Sequence, residues 1–156
     1  MSHSRERIVV RQSDAADIGQ LRDLLSMLFT QEIDFRPDAE RQERGLRAII
    51  QQPDIGRIYC AADGETLIGM VSILFTISTA EGGLAAWLED MVVHPSWRGK
   101  GVGERLLNEA IRGAEAAGCT RVTLLTDASN SSAQRFYSRA GFVCSQMVPF
   151  RLSLRA

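Results

Sequence analysis

The chain has 156 residues, of which 45% are hydrophobic and 24% charged, and a formal net charge of -1. This size and balance fit a single globular domain over residues 1–156 and exclude a disordered chain. Near-neutral charge gives no electrostatic reason to expect nucleic acid or an anionic membrane as a partner.

Met1 to Arg7 is polar and lacks the apolar core of a signal peptide, so no targeting segment is expected. The longest apolar stretch, Leu67 to Phe75, is broken by Ser72 and is too short to span a bilayer; it reads as a buried strand. Cys60, Cys119 and Cys144 are odd in number and scattered. They fit reduced thiols in a cytoplasmic protein better than a disulfide framework or a zinc site. With only His3 and His94 as imidazole donors, no metal centre is expected.

In chain order, the β-branched run Ile8-Val9-Val10 predicts a first strand. Ser13 or Asp14 offers an N-cap, and Asp14 with Asp17 resembles a capping pair. Ile18, Leu21, Leu24, Leu25 and Leu28 then follow at helical spacing, predicting a helix from about 14 to 30. Gln31 to Pro37 breaks the pattern, and a second helix is expected to start near Pro37 and run through Ile50.

Strands are predicted at Ile58 to Ala62, Thr66 to Ser78 and Ala85 to His94, with turns at Asp63-Gly64 and Glu81 to Gly83. These hairpin signals predict antiparallel pairing. Val102, Leu106, Leu107, Ala110, Ile111 and Ala114 trace a third helix, with Gly118 as its stop. A strand at Arg121 to Thr126, a short helix at Ser131 to Ala140 and final strands within Phe142 to Leu154 complete the order. The result is β-α-α-β-β-β-α-β-α-β, a mixed α/β sheet with helices on both faces.

The most informative stretch runs from Val92 to Gly103, where a strand ends and glycines at 99, 101 and 103 open directly into a helix. The bare N–H groups of a helix's first turn, with the positive end of its dipole, make an anion site. Arg98 and Lys100 add positive charge. The dinucleotide fingerprint fails because Glu104 stands where its third glycine is required, and the Walker pattern lacks its upstream glycine and its Ser or Thr.

Arg98-Gly99-Lys100-Gly101-Val102-Gly103 resembles the R/Q-x-x-G-x-G/A acetyl-CoA signature of the GNAT superfamily of N-acetyltransferases. Leu88 to Pro95 resembles the family's central strand, and Asn130-x-x-Ala133-x-x-Phe136-Tyr137 with Gly141-Phe142 resembles its second motif. The likeness covers about Leu67 to Phe150 clearly and the first helices in outline. It implies the GNAT-like acyl-CoA N-acyltransferase fold with acetyl-CoA as co-substrate. It further implies that Gly99, Lys100, Gly101, Val102, Gly103 and Glu104 hold the pyrophosphate beside Arg98. Pantetheine would then pair with the main chain of Met91, Val92 and Val93, and the segment of Asn130, Ala133 and Phe136 would meet the pantetheine arm. A homodimer is an expectation of the resemblance alone.

Acetyl transfer needs a neutral amine, a donor for the oxyanion and a proton for the departing thiolate. Neutralising an amine of pKa near 10.4 at pH 7 costs about 4–5 kcal/mol, so a base is useful. Glu89 matches where many members of the family keep a glutamate and is the candidate base; Asp90 competes with it. Strict alternation puts the two on opposite sheet faces, and a bulge would change the phase. Tyr137, seven residues after Asn130, is the candidate acid. The resemblance implies the main-chain N–H of Met91 as oxyanion donor. The charged run Asp38 to Arg44 reads as a solvated helix face, although this region borders the acceptor site in the family.

The reaction expected is direct attack by a primary amine, with the resemblance favouring a small molecule. Two alternatives are a protein N-terminus or lysine as acceptor, and a non-catalytic acetyl-CoA-binding regulator.

Overall fold

The computed structural model describes residues 7–32 and 36–155; the expected absence of a targeting segment rests on positions before these, and part of the predicted 31–37 break also lies outside them. The chain divides into two compact units, Met1–Leu125 and Thr126–Ala156. No described helix is long and apolar enough to cross a membrane. The three cysteines are free, and no cluster of potential metal ligands occurs among the described residues.

The first unit is built on a five-stranded sheet in the order β1-β2-β3-β4-β5. The strands are β1 (Ile8–Gln12), β2 (Gly56–Asp63), β3 (Thr66–Ser78), β4 (Gly83–Val93) and β5 (Val122–Leu124). Pairing is antiparallel up to β4 and parallel between β4 and β5. The helices are α1 (Ile18–Gln31), α2 (Ala39–Ile50) and α3 (Val102–Ala116).

The expected capping pair forms a reciprocal box: Asp14 accepts from Ala16 N, and Asp17 Oδ2 accepts from Asp14 N at 2.9 Å. It opens a short 3-10 turn, Ala15–Asp17, before α1. Asp17 also takes a bidentate pair from Arg11 at 2.7 and 2.9 Å, which ties β1 to the start of α1. That guanidinium, held against the carboxylate, keeps Asp17 below the usual carboxylate range. Helix α2 begins two residues later than expected, because Asp38 rather than Pro37 sets its start: the Asp38 side chain accepts from Arg41 N.

One face of the sheet is covered by α1 and α2. Leu21, Leu24 and Leu25 of α1 and Leu46 of α2 pack on Ile58, Cys60, Met70 and Val92. Helix α3 lies on β2 and β3 through close approaches at two glycines. A Cβ on Gly113 would meet the Tyr59 ring, and one on Gly69 would sit 2.8 Å from Leu106 Cδ1 and 3.1 Å from Val92 O.

In the second unit, α4 (Ser131–Arg139) is capped by Asn130, whose Oδ1 accepts from Ala133 N at 3.0 Å. The strands expected within Phe142 to Leu154 are not formed. Phe150, Leu152 and Leu154 keep the alternating pattern of a strand but are each more than 80% exposed. Alternation alone does not make a strand; the backbone also needs a hydrogen-bonded neighbour. Strand β5 is likewise shorter than expected, three residues in place of six.

Gly69→Ala should destabilise the protein by about 1–3 kcal/mol, because the added methyl overpacks a closed contact between α3 and β3. A denaturant titration reads this as a lower midpoint with unchanged slope.

Candidate active site

Strand β4 carries the candidate site, and two irregularities shape it. The first is a register shift against β3: Ser72 pairs with Asp90 and Ile73 with Leu88, so Glu89 is the extra residue of a bulge. Paired residues share a sheet face. Asp90 therefore lies with Ser72 on the side of α1 and α2, while Leu88 lies with Ile73 on the other. Glu89 is exposed.

The second irregularity is that β5 stops pairing early. The last partners are Leu88 and Leu124, so from Glu89 to Val93 that edge of β4 has no strand neighbour among the described residues. Met91, Val92 and Val93, the stretch expected to pair with pantetheine, lie along this open edge.

A cavity of about 280 Å³ lies between α1, α2 and the sheet. Its walls are largely apolar, from Leu25, Phe29, Leu46, Ile49 and Ile58, with polar groups from Ser72 and Asp90 on the sheet side and from Arg36, Asp38, Arg41 and Gln42 on the α2 side. Glu89 is not part of the lining. Ser72 is fully buried; its hydroxyl donates to Asp90 Oδ2 at 3.0 Å and accepts from Asp90 N at 3.1 Å. Burial pushes the Asp90 carboxyl up to about 6, opposed by the Ser72 hydrogen bond and assisted by the neighbouring charge of Glu89. A group poised there changes protonation close to neutral pH, as a general base must.

After β4 the chain turns through a 3-10 segment, Pro95–Trp97, capped by His94, whose Nδ1 accepts from Ser96 N at 3.1 Å. Arg98 Nε donates back to Val93 O at 3.2 Å. Lys100 Nζ stands 5.1 Å from the centre of the Trp97 ring, a cation–π contact. Gly99 and Gly101 take φ values of +72° and +83°, the left-handed region where glycine is favoured. Gly101 is the N-cap of α3 and provides no side-chain acceptor. Where α2 and α4 have their first amides satisfied by Asp38 and Asn130, α3 presents the N–H groups of Val102, Gly103 and Glu104 without a side-chain cap. Uncapped amides at a helix start are suited to a phosphate.

Asn130, Ala133, Phe136 and Tyr137 belong to the second unit. The Tyr137 ring meets Phe136 and Phe142 edge-on, with centroids 5.2 and 5.7 Å away. Burial pushes its phenol up to about 12. That makes it a weaker proton donor than an exposed tyrosine.

Sequence reasoning found Asp90 only as a competitor and passed over Ser72, Arg36 and Arg41 as functional groups. Ser72 did leave a signal: a serine interrupting an apolar buried run. Arg41 left none that separates it from the solvated face expected over Asp38 to Arg44, and Arg36 none within the break expected over 31–37.

The profile of the Acetyltransferase (GNAT) family matches residues 19–142. The chain is 26% identical over 133 residues to the aminoalkylphosphonate N-acetyltransferase of Salmonella typhimurium, covering 85% of this chain and 83% of the relative. It is 32% identical over 89 residues to the glucosamine 6-phosphate N-acetyltransferase of Trypanosoma brucei brucei, where the match spans 56% of this chain and only 58% of the relative's length. Among solved structures, an aminoglycoside N-acetyltransferase in complex with CoA superposes with a TM-score of 0.81 at 20% identity, covering 95% of each chain.

Gly101→Val forces a β-branched side chain into a left-handed conformation at the mouth of the amide nest. It should weaken coenzyme A binding by at least about tenfold, as read by isothermal calorimetry, while Gly64→Ala, also at positive φ but in the β2–β3 turn, should leave that affinity unchanged.

Proposed function

Because the chain belongs to the acetyltransferase (GNAT) family, we propose that it transfers the acetyl group of acetyl-CoA to a primary amine of a small molecule, by direct attack through a tetrahedral intermediate. Residues 1–156 act as one catalytic domain in this reading. The observation that carries it is the cavity with one partly buried carboxyl, raised to about 6, on a strand whose outer edge is open from that point onward. A volume of about 280 Å³ is enough for a small amine. The named substrates of two relatives, glucosamine 6-phosphate and aminoalkylphosphonate, support a small-molecule acceptor.

We assign the roles by the family resemblance, with the free edge of β4 and the uncapped start of α3 in their support. The amides of Val102 to Glu104, with Gly99, Lys100, Gly101 and Arg98, receive the CoA pyrophosphate. The open edge of β4 at Met91, Val92 and Val93 pairs with pantetheine, and the Met91 N–H is the candidate oxyanion donor. An acetyl thioester laid along that edge reaches the bulge, beside which the cavity opens. There an incoming ammonium gives up its proton and the free amine attacks the carbonyl carbon.

Of the two adjacent carboxylates, Asp90 suits the base better than Glu89. It lines the cavity, and its raised pKa brings it about 2 pH units, or about 3 kcal/mol, closer to the amine than an ordinary aspartate. The exposed Glu89 acts on it through charge. The resemblance gives Tyr137 the hydrogen bond to the departing sulfur, and gives Asn130, Ala133 and Phe136 of the α4 segment the contact with the pantetheine arm.

A thiol-release assay over a panel of amines distinguishes the two carboxylates. Asp90→Asn should lower kcat/KM by about 10²- to 10⁴-fold, whereas Glu89→Gln should change it by only a few-fold. The parent's kcat/KM should fall as pH drops through about 6, because protonation removes the base, and this acid limb should be absent in Asp90→Asn. A larger loss in Glu89→Gln than in Asp90→Asn returns the base to Glu89.

Tyr137→Phe should lower kcat by about ten- to a thousandfold with coenzyme A affinity retained. Near-normal turnover removes Tyr137 from the acid role.

A further inference from the structure

We propose that the acceptor amine carries an anionic group, with its ammonium meeting Asp90 and its anion meeting the guanidinium groups of Arg36 and Arg41. The inference rests on reading the cavity as the acceptor pocket, and it adds the charge of the part of the substrate that does not react.

Among the described residues, the cavity has one charged group on the sheet side and three on the α2 side, separated by apolar wall. On the sheet side Asp90 is the only ionisable residue among the described residues of the lining. On the other side, two of the polar groups are already committed. Asp38 Oδ1 accepts from Arg41 N at 3.1 Å as the cap of α2, and its Oδ2 lies 3.4 Å from Arg41 Nε. Gln42 is buried and occupied at both ends: its Nε2 donates to Arg22 O and Ser26 Oγ, each at 2.9 Å, and its Oε1 accepts from Asp38 N at 2.7 Å. These bonds hold the start of α2, which carries Arg41, against α1.

Among the described lining residues, two guanidinium groups against one carboxylate leave that end with an excess of one positive charge, opposite a carboxylate across apolar wall. A zwitterionic ligand, ammonium at one end and carboxylate, phosphate or phosphonate at the other, matches both ends. A diamine would place its second ammonium beside the two arginines, and an amino alcohol would leave them to water. Guanidinium pairs with such oxyanions through paired N–H bonds, which favours a planar or tetrahedral anion over a hydroxyl. The Arg41 side chain is 68% exposed, so water and salt compete and the preference is moderate.

The test uses the full chain with saturating acetyl-CoA and three acceptors of matched length: 3-aminopropylphosphonate, 3-aminopropanol and 1,3-diaminopropane. The parent's kcat/KM should be about 5- to 30-fold higher for the phosphonate than for the alcohol, and lowest for the diamine. The margin should shrink as ionic strength rises. The Arg36→Gln, Arg41→Gln double variant should bring the phosphonate-to-alcohol ratio near one, with the loss in KM for the phosphonate. Arg41→Glu should reverse the order of phosphonate and diamine, a gain that simple damage to the fold does not produce. Equal rates for all three acceptors, a parent preference for the diamine, or a ratio untouched by the double variant overturns the inference and leaves small-amine acetylation standing. No thiol release with any amine, while coenzyme A still binds, overturns the small-amine reading and this inference with it.

Discussion

The slip of one residue between β3 and β4 governs the geometry of the site. An antiparallel pair with perfect register would keep Leu88 and Asp90 on one face. The extra residue at Glu89 separates them, so a leucine packs on one side of the sheet and a carboxyl enters the cavity on the other. Ser72 stabilises the irregularity from the neighbouring strand, because its hydroxyl takes the Asp90 N–H and returns a hydrogen bond to the same residue's carboxylate. A polar side chain there satisfies a backbone donor and orients an acid with one group. The bulge also coincides with the end of β5 pairing, so one place in the strand both presents the acid and releases main-chain groups from the ladder.

Much of this architecture was legible in the sequence because the signals are local. The Asp14 and Asp17 pair, the helical spacing of Ile18 to Leu25, the hairpin turns and the glycines before Val102 each act within a few residues. The glycine-rich loop is read most securely, since positive φ at Gly99 and Gly101 is a requirement that residue type alone reveals. What escaped depends on partners distant in the chain. Two consecutive acids look equivalent until strand register decides which one is extra, and register is fixed by Ser72, eighteen positions away. The run Asp38 to Arg44 reads as a solvated face that borders the acceptor site only by family resemblance, because nothing in its spacing shows that a helix end overhangs a cavity, and Arg36 falls in the break before it. The alternation from Phe150 to Leu154 is a genuine strand pattern, yet no strand is formed there.

The electrostatics of the first unit fall into two regimes. Asp17 is held ionised by a bidentate guanidinium and fixes β1 to α1, a structural use of charge. Asp90 is desolvated without a cationic side chain bonded to it and is kept protonated more readily than an exposed acid, a condition with an energetic cost in the empty protein. The two carboxylates differ in pKa direction because one has an arginine within bonding distance and the other has a hydroxyl and an acidic neighbour. Fold stability selects the first arrangement; chemistry near neutral pH needs the second.

The glycine start of α3 has a thermodynamic corollary. A helix without its own cap is completed by whatever oxyanion occupies its first turn, so on the reading above the diphosphate of the acyl carrier does for α3 what aspartate does for α2. Such a ligand adds about 2.7 kcal/mol to folding when present at a hundred times its dissociation constant. The lifetime of the protein in a cell would then follow the supply of its own donor, with starvation for acyl groups and free carrier loosening the helix and exposing the chain to proteolysis.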